Sequence, residues 1–402
     1  MRNADWHRVR SLATVYMIEL PKISDVVIIG GGVIGLAIAR ELSRRGVRDV
    51  TLIERAGLGA EASSAAAGML APQAEANQAD AFFHLSCRSR DMYPGFSADL
   101  LSETRIDIEL ETTGTLYLAF TEHDARELQE RYQWQLKAGL PVQMLTPAEA
   151  GELEPNIASE VQFALKFPFD TQVENRRLVT ALSVATQEAG VRLVTDTTVT
   201  SLNIKDGKVL GVKTTGGSVA TENAVIASGA WVSALAADKA LPDIGIEPVR
   251  GQMLCFDANP PVTRHVIYSP RGYVVPRRDG RLLAGSTTEF AGFDCRVTAA
   301  GIQSITNAAL EICPVVSRLS LAASWAGLRP RAADGLPVLG PCAEIAGVFY
   351  ATGHYRNGIL LAPLTGEILA SAIMGNARDP ILEMFSPDRF GTVNRRDYQG
   401  VR

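Results

Sequence analysis

The sequence DVVIIGGGVIGLAIARELSRRGVRDVTLIER (residues 25–55) contains a glycine-rich turn between two apolar runs. The first run, residues 26–29, favours a buried parallel strand, and Gly30, Gly32 and Gly35 follow it with the spacing G-x-G-x-x-G. In this motif the first glycine permits the tight turn, the second lets the backbone approach a pyrophosphate, and the third allows close packing of the helix on the strand. The stretch therefore predicts a strand, a turn, a helix and a second strand.

The predicted unit also carries the groups that a dinucleotide needs. We expect its helix to begin near Val33, where unpaired N–H groups and the positive end of the helix dipole attract a pyrophosphate. Glu54 ends the second strand, nineteen residues after Gly35, and its carboxylate can accept hydrogen bonds from ribose hydroxyls. Because strand, turn, helix and acid occur together, a dinucleotide site is favoured over a flexible turn.

Composition restricts the classes of function. A chain of 402 residues is long enough for two cores, and a net charge of −5 gives no overall electrostatic reason to bind nucleic acid. Its five cysteines include no C-x-x-C pair and fit neither a disulfide framework nor a zinc site, which favours reduced thiols in a cytoplasmic protein. No apolar run reaches the length of a membrane helix. We therefore expect no metal, membrane or nucleic-acid partner.

The segment GLGAEASSAAAGMLAPQAE (residues 57–75) consists largely of small side chains. Such a segment lets a flat ring system and a phosphate lie against backbone N–H groups and serine hydroxyls. A plain alanine-rich helix is an equally reasonable interpretation of the composition alone.

Two later segments favour the cofactor interpretation. Residues 191–231 alternate like antiparallel strands around the turn Asp206-Gly207 and then enter an apolar strand that ends in Ser228-Gly229. Residues 348–373 predict a strand, a glycine turn and a helix that starts near Gly358. The positive end of that helix is suited to the negative charge that gathers on a reduced flavin.

These motifs resemble the D-amino-acid oxidase family of FAD-dependent oxidoreductases, and within it the glycine oxidases of the thiazole branch of thiamine biosynthesis. The resemblance extends from about residue 24 to about residue 374. It rests on the glycine fingerprint, ASSAAAGMLAPQAE (62–75), VIASGAW (225–231), WAGLRPRAADGLPVLG (325–340) and GHYRNGILLAPLTG (353–366).

The resemblance implies FAD as the cofactor. Monomeric sarcosine oxidases tether flavin through a cysteine in the region of Gly327, where this chain has none, so noncovalent binding is expected. The implied cofactor contacts are Gly30, Gly32, Val33, Ile34, Gly35, Glu54, Arg55, Ala62, Ser63, Ala67, Gly68, Met69, Val199, Gly229, His354, Tyr355, Arg356, Asn357, Gly358, Ile359 and Leu360.

The resemblance also implies the residues that act on substrate. Arg329 corresponds to the arginine that holds a substrate carboxylate in a bidentate pair, Tyr273 to a tyrosine whose hydroxyl faces that carboxylate, and Arg356 to a position near both flavin and substrate. Without the family, a surface ion pair would explain Arg329 and ordinary sheet packing would explain Tyr273. Two positions depart from the family's best-known pattern: Arg271 replaces a histidine, and Thr288 replaces a larger apolar residue.

The implied reaction is oxidative deamination of glycine, with sarcosine and small D-amino acids as further candidate substrates. Hydride passes from the α-carbon to flavin N5, and the products are an imino acid or glyoxylate, ammonia and hydrogen peroxide. The implied partners are the amino acid, oxygen and thiazole synthase, and a homo-oligomer is left open. The alternatives are a D-amino acid, sarcosine or proline oxidase or dehydrogenase of the same family and, less favoured, a tRNA-modifying flavoprotein.

The order of segments predicts an α/β (α+β) fold. A Rossmann-like FAD-binding domain is expected from residues 24–100, 170–243 and 322–376, and a substrate domain around an antiparallel sheet from residues 101–169 and 244–321. We expect residues 1–23 to be a disordered extension and residues 377–402 to be a C-terminal tail.

Overall fold

The structure of the chain is a computed structural model that describes residues 20–236, 241–376 and 379–390. Its α-helices are α1 (Val33–Arg44), α2 (Ala62–Ala65), α3 (Pro72–Glu75), α4 (Ala81–Thr104), α5 (Glu122–Lys137), α6 (Pro147–Leu153), α7 (Asn175–Glu188), α8 (Val232–Ala236), α9 (Ala299–Ile312), α10 (Gly358–Ile373) and α11 (Ile381–Met384). Short 3-10 helices lie at Gly229–Trp231, Pro314–Arg318 and Pro387–Phe390.

The strands follow the same chain order. They are β1 (Val26–Ile29), β2 (Val50–Ile53), β3 (Met69–Leu70), β4 (Thr115–Ala119), β5 (Gln143–Leu145), β6 (Phe163–Phe167), β7 (Thr171–Gln172), β8 (Arg192–Val194), β9 (Val199–Lys205), β10 (Lys208–Thr214), β11 (Gly217–Ala220), β12 (Ala224–Ile226), β13 (Glu247–Asp257), β14 (Val266–Ser269), β15 (Gly272–Pro276), β16 (Arg281–Gly285), β17 (Ser320–Arg331), β18 (Val338–Pro341) and β19 (Val348–Thr352).

A six-stranded sheet in the order β18-β19-β12-β1-β2-β8 forms the first layer. Its pairings are parallel except β18 with β19, as the fully buried β1 and β2 lead one to expect. Helices α1, α7 and α10 pack together on one face with α4, and the antiparallel β9-β10-β11 sheet covers the other face. The strand, turn, helix and strand predicted from residues 25–55 are thereby present.

An eight-stranded sheet in the order β17-β13-β16-β15-β14-β4-β6-β5 forms the second layer. All its pairings are antiparallel except that of β14 with β4. Helix α9 packs on one face of this sheet. The predicted α/β (α+β) fold, with a Rossmann-like unit and a second layer around an antiparallel sheet, is confirmed.

The strands distribute over the expected segments with one difference. Strand β17 lies wholly in the eight-stranded sheet, so the expected boundary at residue 322 falls inside a strand. Ile23 forms a bridge with Ala220, whereas residues 1–19 of the expected extension lie outside the described residues. No helix in the described ranges is both long and apolar enough to cross a membrane. The division into two domains stays a prediction.

Gly35 provides a test of this packing. A Cβ there would overlap the Gly30 carbonyl oxygen, which is backbone and cannot move aside. We expect Gly35→Ala to destabilise the protein by about 1 to 3 kcal/mol and to weaken FAD retention. Gly95→Ala is the matched control, because Gly95 also lies within a helix but has open space around it, and the same exchange should be neutral or stabilising there. Thermal unfolding and flavin content measure both effects, and equal behaviour of the two variants would contradict the packing argument.

Candidate active site

A deep cavity lies between the two large sheets, where the carboxyl ends of β1, β2 and β12 face strands β13, β15 and β17. Of the residues predicted from sequence, the substrate candidates Tyr273, Arg329 and Arg356 line it. So do the predicted cofactor residues Gly30, Gly32, Val33, Ile34, Glu54, Arg55, Ala62, Ser63, Ala67, Gly68, Met69, Val199, Gly229, His354, Tyr355, Asn357, Gly358 and Ile359.

Gly35 and Leu360 are not on the cavity wall. Gly35 faces the Gly30 carbonyl in the contact between helix and strand. The Leu360 side chain is 2% exposed within the core, and its carbonyl accepts a hydrogen bond from Ser89. Both residues therefore support the wall from behind.

The fingerprint forms one end of the cavity. Gly30 has a φ of 113°, and a Cβ on it would lie 2.5 Å from the Ala227 carbonyl oxygen, so this turn requires glycine. The first turn of α1 begins at Val33, whose N–H donates to Ser63 Oγ at 3.0 Å. The N-terminus of a twelve-residue helix thus opens onto the cavity beside a serine hydroxyl, an arrangement suited to a phosphate group.

Glu54 is held rigidly at the end of β2. Its Oε2 accepts from the Gly31 N–H at 2.7 Å, and its Oε1 accepts from the Ala56 N–H at 2.9 Å. Each carboxylate oxygen can accept more than one hydrogen bond, so both remain able to receive ribose hydroxyls. Arg55 beside it pairs with Glu61 and stacks 3.4 Å above the Trp231 ring.

Helix α10 begins on the opposite side of the cavity. Gly358 and Ile359, in its first turn, line the wall, and first-turn amides have no carbonyl partner within their own helix. His354 precedes this helix with its Nε2 3.1 Å from Thr365 Oγ1, and burial lowers its pKa to about 3. A neutral His354 therefore adds no charge near neutral pH.

Arg329 lies on β17 and reaches the cavity from the eight-stranded sheet. Its Nη1 donates to the Thr287 carbonyl at 3.1 Å and its Nη2 to Ser286 Oγ at 2.7 Å. Burial lowers its pKa, and within the described ranges no carboxylate lies within 4.0 Å of its guanidinium. A Cβ on Gly251 would overlap the guanidinium, so this glycine provides its space. Arg329 is thus a fixed, largely desolvated cation with N–H groups left for an anion.

Tyr273 lies nearby on β15. It is 7% exposed, and its hydroxyl lies 3.4 Å from Met253 Sδ, a weak partner. Its ring centroid is 5.6 Å from that of Tyr268 on β14. The phenol of Tyr273 therefore has capacity for a stronger acceptor than it has here.

Glu75, at the end of α3, pairs with Arg356. Arg356 Nη2 donates to Glu75 Oε1 at 2.8 Å, and the Tyr268 hydroxyl donates to the same oxygen at 3.1 Å. Although burial acts to raise the pKa of Glu75, the charge of Arg356 and these hydrogen bonds outweigh it and hold the pKa below its usual value. The charge of Glu75 in turn raises the pKa of Arg356. The pair is fully ionised and mutually neutralising.

The two departures from the family pattern lie outside this wall. Neither Arg271 nor Thr288 lines the cavity. Arg271 instead pairs with Asp124 at 2.8 Å and with Glu311 at 2.5 Å, and these partners raise its pKa.

Sequence reasoning missed several wall residues. Glu75 and Tyr268 were not identified although Glu75 ends the quoted small-residue segment, and only the fold brings Tyr268 to it. Ser228 also lines the cavity, and its buried hydroxyl has no hydrogen-bond partner among the described residues. A hydroxyl next to a strand end and followed by Gly229 was the available signal.

The family model described as FAD dependent oxidoreductase matches residues 25–372 of this chain. The chain belongs to this family of FAD-dependent oxidoreductases. A glycine oxidase of Geobacillus kaustophilus is 41% identical over 87% of this chain and 92% of that protein. The crystal structure of glycine oxidase from the same organism has a TM-score of 0.88, with 39% identity over 92% of this chain and 99% of that one. The expected family resemblance is thereby confirmed.

Two other relatives extend the comparison. The Bifunctional protein ThiO/ThiG of Trichormus variabilis is 37% identical over 91% of this chain but only 55% of that protein, so this chain spans about half of its length. Iminodiacetate oxidase of Chelativorans sp. BNC1 has a TM-score of 0.82, with 26% identity over 90% of this chain and 98% of that one.

The cavity fits FAD on its own chemistry. It has a helix N-terminus at Val33, a carboxylate at Glu54 that can accept from ribose hydroxyls, a Ser228 hydroxyl without a partner among the described residues, and a second helix N-terminus at Gly358. These groups lie along one continuous wall, as an extended dinucleotide requires.

His354 yields a prediction for stability against pH. Because a histidine in the unfolded chain has a pKa near 6.5 and that of folded His354 is about 3, only the unfolded chain gains a proton as pH falls between these values. The free energy of unfolding must then fall as pH falls, by about 2 kcal/mol between pH 7.5 and pH 5 from this group alone.

We expect His354→Gln to reduce that pH dependence, as measured by denaturant unfolding at pH 7.5 and pH 5. His123→Gln is the control, because His123 lies exposed on α5 with its side chain 72% accessible. The same pH dependence in wild type and His354→Gln would show that His354 does not cause it.

Proposed function

We propose that this protein catalyses the FAD-dependent oxidative deamination of glycine. Glycine, oxygen and water are converted to glyoxylate, ammonia and hydrogen peroxide. The α-carbon of glycine is oxidised by two electrons, and oxygen is reduced by the same two electrons. The main support for this proposal is Arg329, a desolvated guanidinium that has no carboxylate partner in the described residues and lies inside a cavity that fits FAD. The 41% identity to a glycine oxidase supports this choice of amino acid.

The substrate's carboxylate binds Arg329 in this proposal. The Ser286 and Thr287 contacts hold the guanidinium in one plane, so that it presents a fixed fork to the substrate. Tyr273 donates a hydrogen bond to the same carboxylate, and the two contacts orient the α-carbon. When bound, FAD would accept the two electrons removed from the amino acid, and oxygen would reoxidise it.

No protein base is required if the amine reacts in its neutral form. The neutral, buried His354 is consistent with this, since its imidazole is already engaged by Thr365. Catalysis then depends on orientation by Arg329 and Tyr273 and on the electrostatic effect of the α10 N-terminus.

FAD is held without a covalent bond in this proposal. A Cβ on Gly327 would lie 2.5 Å from Ala65 Cβ, which leaves no room for a tethering side chain at that position. Within the described residues, the cavity wall includes no cysteine.

The cellular role is also part of the proposal. Fusion of a similar chain in the Bifunctional protein ThiO/ThiG supports thiazole synthase as a partner that takes up the imine product. Such a role places the enzyme in the cytoplasm, in the thiazole branch of thiamine biosynthesis.

Oxygen consumption tests the proposed reaction. We expect the purified protein to release FAD on heat denaturation and to consume oxygen with glycine faster than with D-alanine, L-proline or iminodiacetate. Equimolar glyoxylate and hydrogen peroxide should accumulate with glycine. Flavin that stays with the precipitate would contradict noncovalent binding, and preference for another amine would replace glycine as the substrate.

The Arg329→Ala variant tests whether the Arg329 guanidinium binds the substrate carboxylate. It should retain FAD but lose about 2 to 5 kcal/mol of transition-state binding, which is roughly 30-fold to several-thousand-fold in kcat/KM for glycine. Arg331→Ala is the control, since Arg331 lies on the same strand but pairs with Glu247 at 2.8 Å outside the cavity wall. Wild-type kinetics in Arg329→Ala would exclude a role for Arg329 in substrate binding.

Tyr273→Phe should lose less kcat/KM for glycine than Arg329→Ala, because it removes one hydrogen bond to the carboxylate and leaves the Arg329 guanidinium in place.

A further inference from the structure

The substrate end of the cavity contains an unequal pair of arginines. Arg329 and Arg356 both line the wall, and the charge of Arg356 helps to lower the pKa of Arg329, so the two guanidinium groups lie close together. Arg356 is paired with Glu75, whereas Arg329 has no carboxylate within 4.0 Å among the described residues. This end of the cavity therefore holds three charges that sum to +1.

The other charged groups on the wall do not change this sum. Glu54 is bound by two backbone amides at the fingerprint, and Arg55 and Glu61 neutralise each other there. Burial keeps His354 neutral near pH 7. The unneutralised cation at the substrate end matches one carboxylate.

We propose that Glu75 is a specificity-determining residue that restricts the site to amines with a single carboxylate. This inference rests on the proposed function. Glu75 occupies Arg356, so a second carboxylate that approaches this guanidinium meets a pair whose charges already cancel. Such a second charge would lose its water without gaining a partner.

The position of Glu75 suits this role. Arg131 fixes the end of α3 by donating to the Ala74 carbonyl at 2.7 Å, and Asp170 accepts from the Ala74 N–H at 2.8 Å. Tyr268, on β14 of the eight-stranded sheet, donates to Glu75 Oε1. Because these contacts hold Glu75 from both sides, it cannot easily swing away to release Arg356 to a ligand.

The Glu75→Gln variant tests the proposal in the holoenzyme. It keeps the shape of the side chain but frees the charge of Arg356, so the ratio of kcat/KM for iminodiacetate to that for glycine should rise by at least about tenfold. Iminodiacetate, oxygen and water would give glycine, glyoxylate and hydrogen peroxide. Initial rates are required, because the glycine released is itself a substrate.

Binding of simple carboxylates gives a readout that does not depend on turnover. Titration of the flavin absorbance with malonate and with acetate should show malonate gaining at least about tenfold in affinity in Glu75→Gln, with a much smaller change for acetate. The double variant Glu75→Gln with Arg356→Gln should lose this gain, because the freed cation is gone. Glu247→Gln is the matched control: it frees Arg331 from a carboxylate partner outside the cavity wall, and should leave both ratios unchanged.

Several outcomes would overturn the proposal. Among these are unchanged kcat/KM and affinity ratios in Glu75→Gln, an equal loss of kcat/KM for glycine and iminodiacetate in that variant, and a preference of the wild type for the dicarboxylate.

If Glu75→Gln does not retain FAD, Arg356→Gln tests the proposal with the opposite sign. It leaves Glu75 unpaired and should weaken malonate binding more than acetate binding. If wild type oxidises no amine but the carboxylate titrations follow the expected pattern, the proposed function fails while the role of Glu75 in charge selection stands.

Discussion

The close approach of α1 to β1 determines where the rest of the site can lie. Gly35 packs against the Gly30 carbonyl with no room for a side chain, and this contact points the N-terminus of α1 at the edge of the parallel sheet. Glu54 then receives the Gly31 N–H from the turn itself, which links the end of β2 to the fingerprint. These two contacts therefore fix the N-terminus of α1 and the Glu54 carboxylate beside each other, and the cavity extends from them toward the second sheet.

Buried polar side chains fix the small-residue segment, residues 57–75, beside the cavity. Arg277, which directly follows β15, donates to the Ala67 carbonyl at 2.6 Å and to the Val173 carbonyl at 2.9 Å, and burial lowers its pKa to about 10. Asp170 is fully buried and receives the backbone amides of Gln73 and Ala74. The small-residue segment thus lies against the cavity because polar side chains from distant parts of the chain bind its backbone.

Sequence and structure agree best where the signal is local. The fingerprint predicted α1 from Val33 and the acid at Glu54, because glycine spacing and strand hydrophobicity act over a few residues. The pairing of Glu75 with Arg356 joins residues 281 positions apart, and no periodicity indicates it. Likewise, β17 joined the eight-stranded sheet because its long pairing with β13 decides its place, which the segment order alone could not predict. Arg329 and Tyr273 were located through the family resemblance, since an arginine or tyrosine on a strand has many ordinary explanations.

The two arginines at the substrate end show how one residue type acquires two roles from its surroundings. The pKa of Arg329 is lowered by burial, whereas that of Arg356 is raised by the charge of Glu75. A guanidinium that is desolvated without a counter-ion is stabilised when an anion arrives, and one that already has its counter-ion gains little. On the proposed function, a substrate carboxylate is therefore drawn to Arg329 although both cations face the cavity. Arg329 comes from the eight-stranded sheet, whereas Arg356 follows β19 of the six-stranded sheet, so the two cations reach the cavity from opposite layers of the fold.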